Sequence, residues 1–205
     1  SRVSRLSLAA GSRFDLSDQD LIIDYIGASP LNTISSLIVS GYAAGAWTGA
    51  GILSSVAAAQ PNGGIGYGEA SALGLSSFSG QPVDATSVLV AYTLRGDANL
   101  DGSVGIADFA RLGAKFNLPG GWIDGDFNYS GTVNIADFSL LAGNFNQSLP
   151  GGSARAVPEP GFWLAIPWIC LARRRRCGVM ARKSGGRTGL ATENPPPLLP
   201  HPVEE

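Results

Sequence analysis

Residues 97–108 read Asp-Ala-Asn-Leu-Asp-Gly-Ser-Val-Gly-Ile-Ala-Asp, and residues 126–137 read Asp-Phe-Asn-Tyr-Ser-Gly-Thr-Val-Asn-Ile-Ala-Asp. The two segments align without a gap at an offset of 29 residues. The match continues beyond them, because Leu141 repeats Leu112 at the same offset. A fixed period with matched polar and apolar positions indicates two copies of one structural unit.

Oxygen-bearing side chains stand at positions 1, 3, 5 and 12 of each copy, and position 6 is glycine in both. This is the ligand spacing of a 12-residue calcium loop, in which position 7 contributes its backbone carbonyl. An Asx-rich turn without metal has a similar formula, but two copies in register, each with an acid at position 12, favour the hard cation Ca²⁺. The sequence therefore predicts two Ca²⁺ sites, with ligands Asp97, Asn99, Asp101, Ser103 and Asp108 in the first loop and Asp126, Asn128, Ser130, Thr132 and Asp137 in the second.

Each loop leads into an apolar stripe with helical spacing. The stripe comprises Ile106, Phe109, Leu112 and Phe116 in the first copy and Ile135, Phe138, Leu141 and Phe145 in the second. The pattern predicts one helix after each loop, and we expect the two stripes to pack against each other.

Paired loops with aspartate at position 12 and a single helix per loop resemble type I dockerin repeats. Members of that family pack two antiparallel halves around two Ca²⁺ ions and tether extracellular polysaccharide-degrading enzymes to cohesin modules. The resemblance covers residues 96–146. It implies an all-α two-loop-helix module over residues 96–147, with a cohesin-like or other cell-surface protein as partner. Positions 10 and 11 are Ile-Ala in both copies, where cohesin-binding members usually have small hydroxyl residues.

Residues 14–95 are predicted to form a small α+β or β-rich adaptor. Strand signals lie at residues 21–25 and 87–94, and a helix is expected after Pro30. The alanine-rich residues 51–59 suggest a second short helix, and the glycine-rich residues 64–72 suggest irregular structure. Residues 1–13 are a polar lead-in, interpreted as the end of an upstream domain.

The adaptor resembles the segment before dockerin-type repeats in large secreted bacterial proteins, which often carry autotransporter-like β-repeats upstream. Because the chain begins with Ser1, we expect it to be the C-terminal region of a longer protein. Its fold class is thus predicted as α+β: the adaptor, the all-α calcium module, a short hydrophobic segment and a disordered tail.

No catalytic or cofactor-binding residue is predicted. Glu69 and Asp84 are a conceivable glycosidase pair, but no helical or strand spacing links them, and the single histidine is His201. Three aromatic side chains either form a sugar-stacking platform or fill a small core: Tyr42, Trp47 and Tyr67.

The sequence after the calcium repeats begins with a linker over residues 148–156. It continues with Val-Pro-Glu-Pro at residues 157–160, an apolar run at residues 161–172 and four arginines. This order resembles the PEP-CTERM sorting signal, which an exosortase is thought to recognise. The resemblance implies a sorting segment at residues 157–176 with transient membrane anchoring by residues 161–172. Residues 177–205 have no periodicity and end in a proline-rich tract, so they are predicted to be disordered.

The charge pattern separates an acidic repeat region from a basic C-terminal part, although the net charge is only −2. This suits cation binding and does not suggest nucleic acid as a partner. The two cysteines, Cys170 and Cys177, give no disulfide framework.

We therefore expect a non-catalytic, calcium-binding region of a secreted or cell-surface protein that mediates attachment or assembly, in connection with polysaccharide degradation. One alternative is the C-terminal part of a glycoside hydrolase whose upstream domain acts on the polysaccharide. Another is a calcium-rigidified stalk that has no partner.

Overall fold

The structure is a computed structural model that describes residues 1–150. Its central strand is β8 (Ser87–Leu94), and every residue of this strand is buried. Strand β8 lies between β3 (Asp20–Asp24) and β5 (Gly63–Glu69) and is antiparallel to both. The short β1 (Arg2–Val3) pairs with β3 in parallel, which gives the strand order β1-β3-β8-β5. The predicted strand at residues 87–94 is confirmed.

Smaller elements surround this sheet. Helix α1 (Leu31–Tyr42) begins after Pro30, as predicted, and packs on β4 (Gly51–Leu53). The helix expected over residues 51–59 is only partly correct, since residues 51–53 form a strand and the helix begins after Ser54, whose hydroxyl accepts from the Ala57 N–H. Strand β2 (Arg13–Asp15) pairs in parallel with β4. The remaining elements are the short helices α2 (Ser55–Ala59) and α3 (Ala70–Leu73) and the antiparallel pair of β6 (Ser77–Phe78) and β7 (Gln81–Pro82).

The glycine-rich segment forms strand β5, so the prediction of irregular structure over residues 64–72 was wrong. Glycine is normally unfavourable within a strand, because it has no side chain to pack. Here glycines 64, 66 and 68 alternate along the strand and therefore share one face. A Cβ atom would come within 2.7 Å of Trp122 at Gly64, 2.3 Å of Leu100 at Gly66 and 2.4 Å of Ile123 at Gly68. That face of the strand is filled by the repeat region, residues 96–147.

The repeat region contains the two predicted helices, α4 (Ile106–Lys115) and α5 (Ile135–Asn144), and a 3-10 turn at Trp122–Asp124. The predicted fold class is nevertheless wrong. Residues 1–150 form a mixed α/β structure with five α-helices and three sheets, and residues 96–147 do not constitute an all-α module. One reason is that the repeat region packs on the sheet: Trp122 is fully buried against Gly64 and Gly66 of β5, and Ile123 lies against Gly68.

Several predictions concern residues outside the described part of the chain. They are the linker beyond residue 150, the sorting segment at residues 157–176 and the disordered tail at residues 177–205. Among residues 1–150, no helix combines the length and the apolar character that crossing a membrane requires.

The packing on β5 predicts that Gly66→Ala destabilises the protein by about 1–3 kcal/mol, as overpacking of a core does. The added methyl group would overlap Leu100 and the Trp122 indole. Gly113→Ala is the matched control, because a Cβ at Gly113 meets nothing within 4 Å and alanine favours a helix. Urea unfolding of both variants measures the effect. Equal stability of the two variants would contradict the described packing.

Candidate metal centre

The first loop folds around its own polar side chains. The Asp101 N–H donates to Oδ1 of Asp97 at 3.2 Å and to Oδ1 of Asn99 at 2.9 Å, which brings these two oxygens to one point. The Asn99 side chain donates to Oδ2 of Asp101 at 2.9 Å. Oδ1 of Asp108 accepts from the N–H groups of Ala98 and Asn99 at 2.8 and 3.1 Å. Positions 1, 3, 5 and 12 are thus gathered within one loop.

The second loop repeats this arrangement. The Ser130 N–H donates to Oδ1 of Asp126 and to Oδ1 of Asn128, both at 2.9 Å. Oδ1 of Asp137 accepts from the N–H groups of Phe127 and Asn128 at 2.9 and 3.1 Å. The single hydrogen of the Ser130 hydroxyl has two acceptors in reach, Oδ1 of Asp126 at 3.4 Å and the Thr132 carbonyl at 3.1 Å.

The position-7 residues Ser103 and Thr132 lie beside these side chains. The Ser103 N–H donates to Oδ1 of Asp101 at 2.8 Å. The Thr132 carbonyl accepts from the Ser130 hydroxyl at 3.1 Å and from the Asn134 amide at 3.0 Å. The structure thus places every predicted ligand in its own loop.

The position-12 aspartates also begin the helices. Oδ2 of Asp108 accepts from the Gly105 N–H at 2.8 Å, and Oδ2 of Asp137 accepts from the Asn134 N–H at 2.9 Å. A carboxylate in the first turn satisfies a helical N–H and interacts favourably with the helix dipole. One side chain therefore closes the loop and starts the helix in each copy.

Four carboxylates in the loops are buried without a cationic partner. Asp97, Asp108, Asp126 and Asp137 are each at most 2% exposed, and among residues 1–150 no Lys or Arg nitrogen lies within 4.0 Å of them. Burial raises the pKa of Asp97 to about 7 and raises the pKa of Asp108 and of Asp126. A buried carboxylate is costly unless a cation compensates it, so this donor set fits a bound divalent cation.

Carboxylates alone do not complete either site. In the described part of the chain, no group of three or more His, Cys, Asp or Glu side chains is placed to hold a metal by itself. The amide of Asn99 or Asn128, the position-5 oxygen and the position-7 carbonyl would have to contribute, as they do in calcium loops.

The two loops are interlocked by backbone hydrogen bonds. Val104 exchanges two hydrogen bonds with residues 146–147, both of 2.9 Å. Val133 makes the equivalent pair with residues 117–118, at 3.0 and 2.8 Å. Each loop is therefore paired with the segment that follows the helix of the other loop, and neither half has its partner when alone.

The expected packing between the apolar stripes is only partly correct. Leu112 and Leu141 are buried, whereas Phe109 and Phe138 are 41% and 36% exposed. The centroids of the two phenylalanine rings are 6.1 Å apart. The helices are only ten residues long, and their buried leucines lie against the glycines that precede the loops, Leu112 beside Gly125 and Leu141 beside Gly96. The other exposed apolar side chains of this region are Ile106, Phe116, Leu118, Ile135 and Phe145.

Three residues that connect the loops to the sheet were not identified from the sequence. The Trp122 indole donates to the Asp97 carbonyl at 2.7 Å. The Tyr129 hydroxyl accepts from the Ile65 N–H at 2.8 Å and donates to the Ile65 carbonyl at 3.0 Å. The Thr93 hydroxyl donates to Oδ2 of Asp97. Two features of the sequence could have predicted this docking: the alternating glycines of β5 and the large side chains at loop position 4, Leu100 and Tyr129.

The aromatic residues considered as a sugar platform belong to the core. Trp47 and Tyr67 are 3% and 6% exposed, and Tyr42 packs against Trp47 with ring centroids 5.1 Å apart. Of the two acids considered as a catalytic pair, Glu69 accepts from Tyr25 and Ser29, and Asp84 accepts from Thr86 and Ser87 within its own turn.

Comparison with known proteins gives no match: no protein-family model matches the sequence, and no curated protein or solved structure matches the chain. The resemblance of the loops to type I dockerin repeats and of the tail to a PEP-CTERM signal therefore rests on the motifs alone.

The burial of Asp97 predicts a pH-dependent calcium affinity. Burial raises the pKa of Asp97 to about 7, against 3.8 for an ordinary aspartate, so below about pH 7 the cation must displace a proton. Affinity should therefore rise with pH up to about 7 and then level off. Without calcium, the free energy of unfolding should instead fall as pH rises. The protonated Asp97 carboxyl stabilises the fold at low pH, and this stability is lost as pH rises through 7.

Calcium titration calorimetry between pH 5 and 8, in buffers of different ionisation enthalpy, counts the released protons. Asp97→Asn is the control, since it cannot release one. An affinity for calcium that is constant over this range would show that Asp97 is not the titrating ligand.

Proposed function

We propose that residues 96–147 bind two Ca²⁺ ions and act as a calcium-dependent attachment region of a secreted or cell-surface protein. The observation that carries this proposal is the set of four buried carboxylates without a cationic partner, divided between two loops of identical spacing. Structural ion pairs would supply Lys or Arg at such positions. A divalent cation in each loop supplies the missing charge with oxygen ligands that suit calcium.

Calcium binding and folding are coupled in this proposal. The position-1 and position-12 aspartates approach each other only when the loop is closed, and their mutual repulsion opposes closure without a cation. A ligand that binds only the folded form stabilises it by about 2.7 kcal/mol at a concentration of 100 times its dissociation constant. Calcium in the loops would therefore also stabilise the face of β5 on which Trp122 packs.

The surface available for attachment consists of exposed apolar side chains of the two helices. It exposes Ile106, Phe109, Ile135 and Phe138, which the repeat relates in pairs. The Phe109 and Phe138 rings are neighbours, with centroids 6.1 Å apart, and exposed apolar patches are typical of protein–protein contact sites. The partner we propose is a cohesin-like or other cell-surface protein, in keeping with the dockerin-like loops. Export through an exosortase and a connection with polysaccharide degradation are the corresponding proposals for the cellular context.

A reciprocal swap at loop position 5 tests calcium binding. Asp101→Ser gives the first loop the side chain of the second, and Ser130→Asp gives the second loop the charge of the first. Ligand charge sets affinity in such loops over several decades. We expect a loss of about tenfold at the first site and a gain of about tenfold at the second. The measurement is calorimetric titration of the full chain with CaCl₂.

The parent chain should bind two equivalents of calcium in this titration. Binding of none, or swaps that leave both affinities unchanged, would contradict the proposed sites. Magnesium chloride is the ionic control, because Mg²⁺ demands a smaller octahedral site and keeps its water ligands.

A second candidate, the stalk without a partner, is favoured by one observation: the loops are fixed to the sheet through Trp122 and Tyr129. The double variant Ile106→Asp/Ile135→Asp separates the two functions, because both side chains are more than half exposed and neither is a predicted ligand. Attachment predicts that the parent binds immobilised cohesin modules or surface protein only with calcium, and that the double variant does not.

The control in this experiment is calcium affinity, which the double variant should retain. A parent that binds two calcium ions but captures no such partner favours the stalk. Calcium-dependent association with a second copy of the chain, seen by sedimentation, would instead assign the exposed face to self-assembly.

A further inference from the structure

The first calcium loop is held by the central sheet through a buried hydroxyl group. Thr93 lies in β8, and its side chain and that of Asp97 are almost fully buried, with 1% and 0% exposed. The Thr93 hydroxyl donates to Oδ2 of Asp97. The same oxygen accepts from the Gly102 N–H at 2.9 Å. Strand β8 therefore fixes the orientation of the carboxylate at loop position 1.

The internal repeat provides a comparison within one molecule. Oδ2 of Asp126 accepts from the Gly131 N–H at 2.7 Å, as Oδ2 of Asp97 does from Gly102. The residue that occupies the position of Thr93 in the second copy is Trp122, which has no hydroxyl group. The side-chain hydroxyl beside Asp126 is that of Ser130, a member of the loop itself, which lies 3.4 Å from Oδ1 of Asp126 and 3.1 Å from the Thr132 carbonyl. The two loops share their backbone contacts and differ in this hydroxyl.

The backbone of Asp97 is fixed as well. Its carbonyl accepts from the Trp122 indole at 2.7 Å, and Trp122 is fully buried. Both the side chain and the carbonyl of this residue are therefore positioned by groups outside the loop. A ligand that is already oriented loses less conformational freedom when the cation binds, and groups that orient metal ligands typically change metal affinity by about 10–100-fold.

We propose that Thr93 is a positioning residue of the first calcium site and that its hydroxyl raises the affinity of the first loop without affecting the second. This inference rests on the calcium function proposed above and adds to it a residue outside both loops. The hydroxyl acts on Asp97 and does not touch the cation.

The test compares Thr93→Val, which keeps the branched shape and removes the hydroxyl, with Thr93→Ser, which keeps the hydroxyl. Ser87→Ala is the control, because Ser87 is also a buried hydroxyl of β8 that donates to an aspartate, Asp84, outside the loops. Each full-length variant is titrated with CaCl₂ while the amide NMR signals of Gly102 and Gly131 report the two loops separately.

We expect Thr93→Val to weaken binding reported by Gly102 by about tenfold or more and to leave the Gly131 titration unchanged. Thr93→Ser and Ser87→Ala should match the parent in both loops. If Thr93→Val does not fold, Thr93→Ala and Thr93→Ser give the same comparison, because these two variants differ only in the hydroxyl.

Three results would overturn the inference: an unchanged Gly102 titration in Thr93→Val, equal losses in both loops, or a loss in Thr93→Ser as large as in the variants without the hydroxyl. Each leaves the calcium function intact, since the parent still binds two ions. A parent whose Gly102 and Gly131 signals both fail to respond to calcium would refute the proposed function, and this inference with it.

Discussion

Strand β5 can have one face without side chains only because residues 96–147, the repeat region, fill it. The Trp122 indole lies over Gly64 and Gly66 and at the same time donates to the Asp97 carbonyl. Removing the glycines would push the indole away, and removing the indole would leave a void in the core and a buried carbonyl without its donor. The sheet and the first loop therefore depend on the same contact, which is why the repeat region is not a separate layer of helices.

The two repeats have similar structures, but they contact the sheet through different side chains. The two halves are related by matched backbone pairing at Val104 and Val133 and by matched buried leucines on the helices. Loop position 4, however, is Leu100 in one half and Tyr129 in the other, and both have left-handed backbone angles, with φ of 60° and 59°. Leu100 packs beside Gly66, whereas Tyr129 reaches the backbone of Ile65. The repeat thus has two copies of one loop and two different attachments to the sheet.

The sequence predicted the local features of this structure but not the docking of the loops on the sheet. The helices after each loop and the strand at residues 87–94 follow from periodicity and from the turn chemistry beside them, which depend on neighbours in the chain. The placement of the loops on β5 depends on a strand that glycine content argues against and on a tryptophan that belongs to no motif. Alternation of the glycines was the available sign, because a period of two on one face is a strand property. The phenylalanines at helical spacing predicted a core between the two helices. In the structure, the buried contacts of this region are instead made with the loops and the sheet.

The contact between Tyr129 and Ile65 has a consequence for the edge of the sheet. Strand β5 is the last strand in the order β1-β3-β8-β5, and free backbone groups at such an edge can pair with a strand of another molecule. The Tyr129 phenol occupies both the N–H and the carbonyl of Ile65, and its own backbone belongs to the second loop. On the proposed function, the second loop opens when its cation is lost, and Tyr129 then no longer covers the backbone groups of Ile65. The exposed edge strand has glycines on one face and therefore no side chains there that would hinder pairing with another chain. Calcium would then prevent aggregation through this edge in addition to keeping the loops closed.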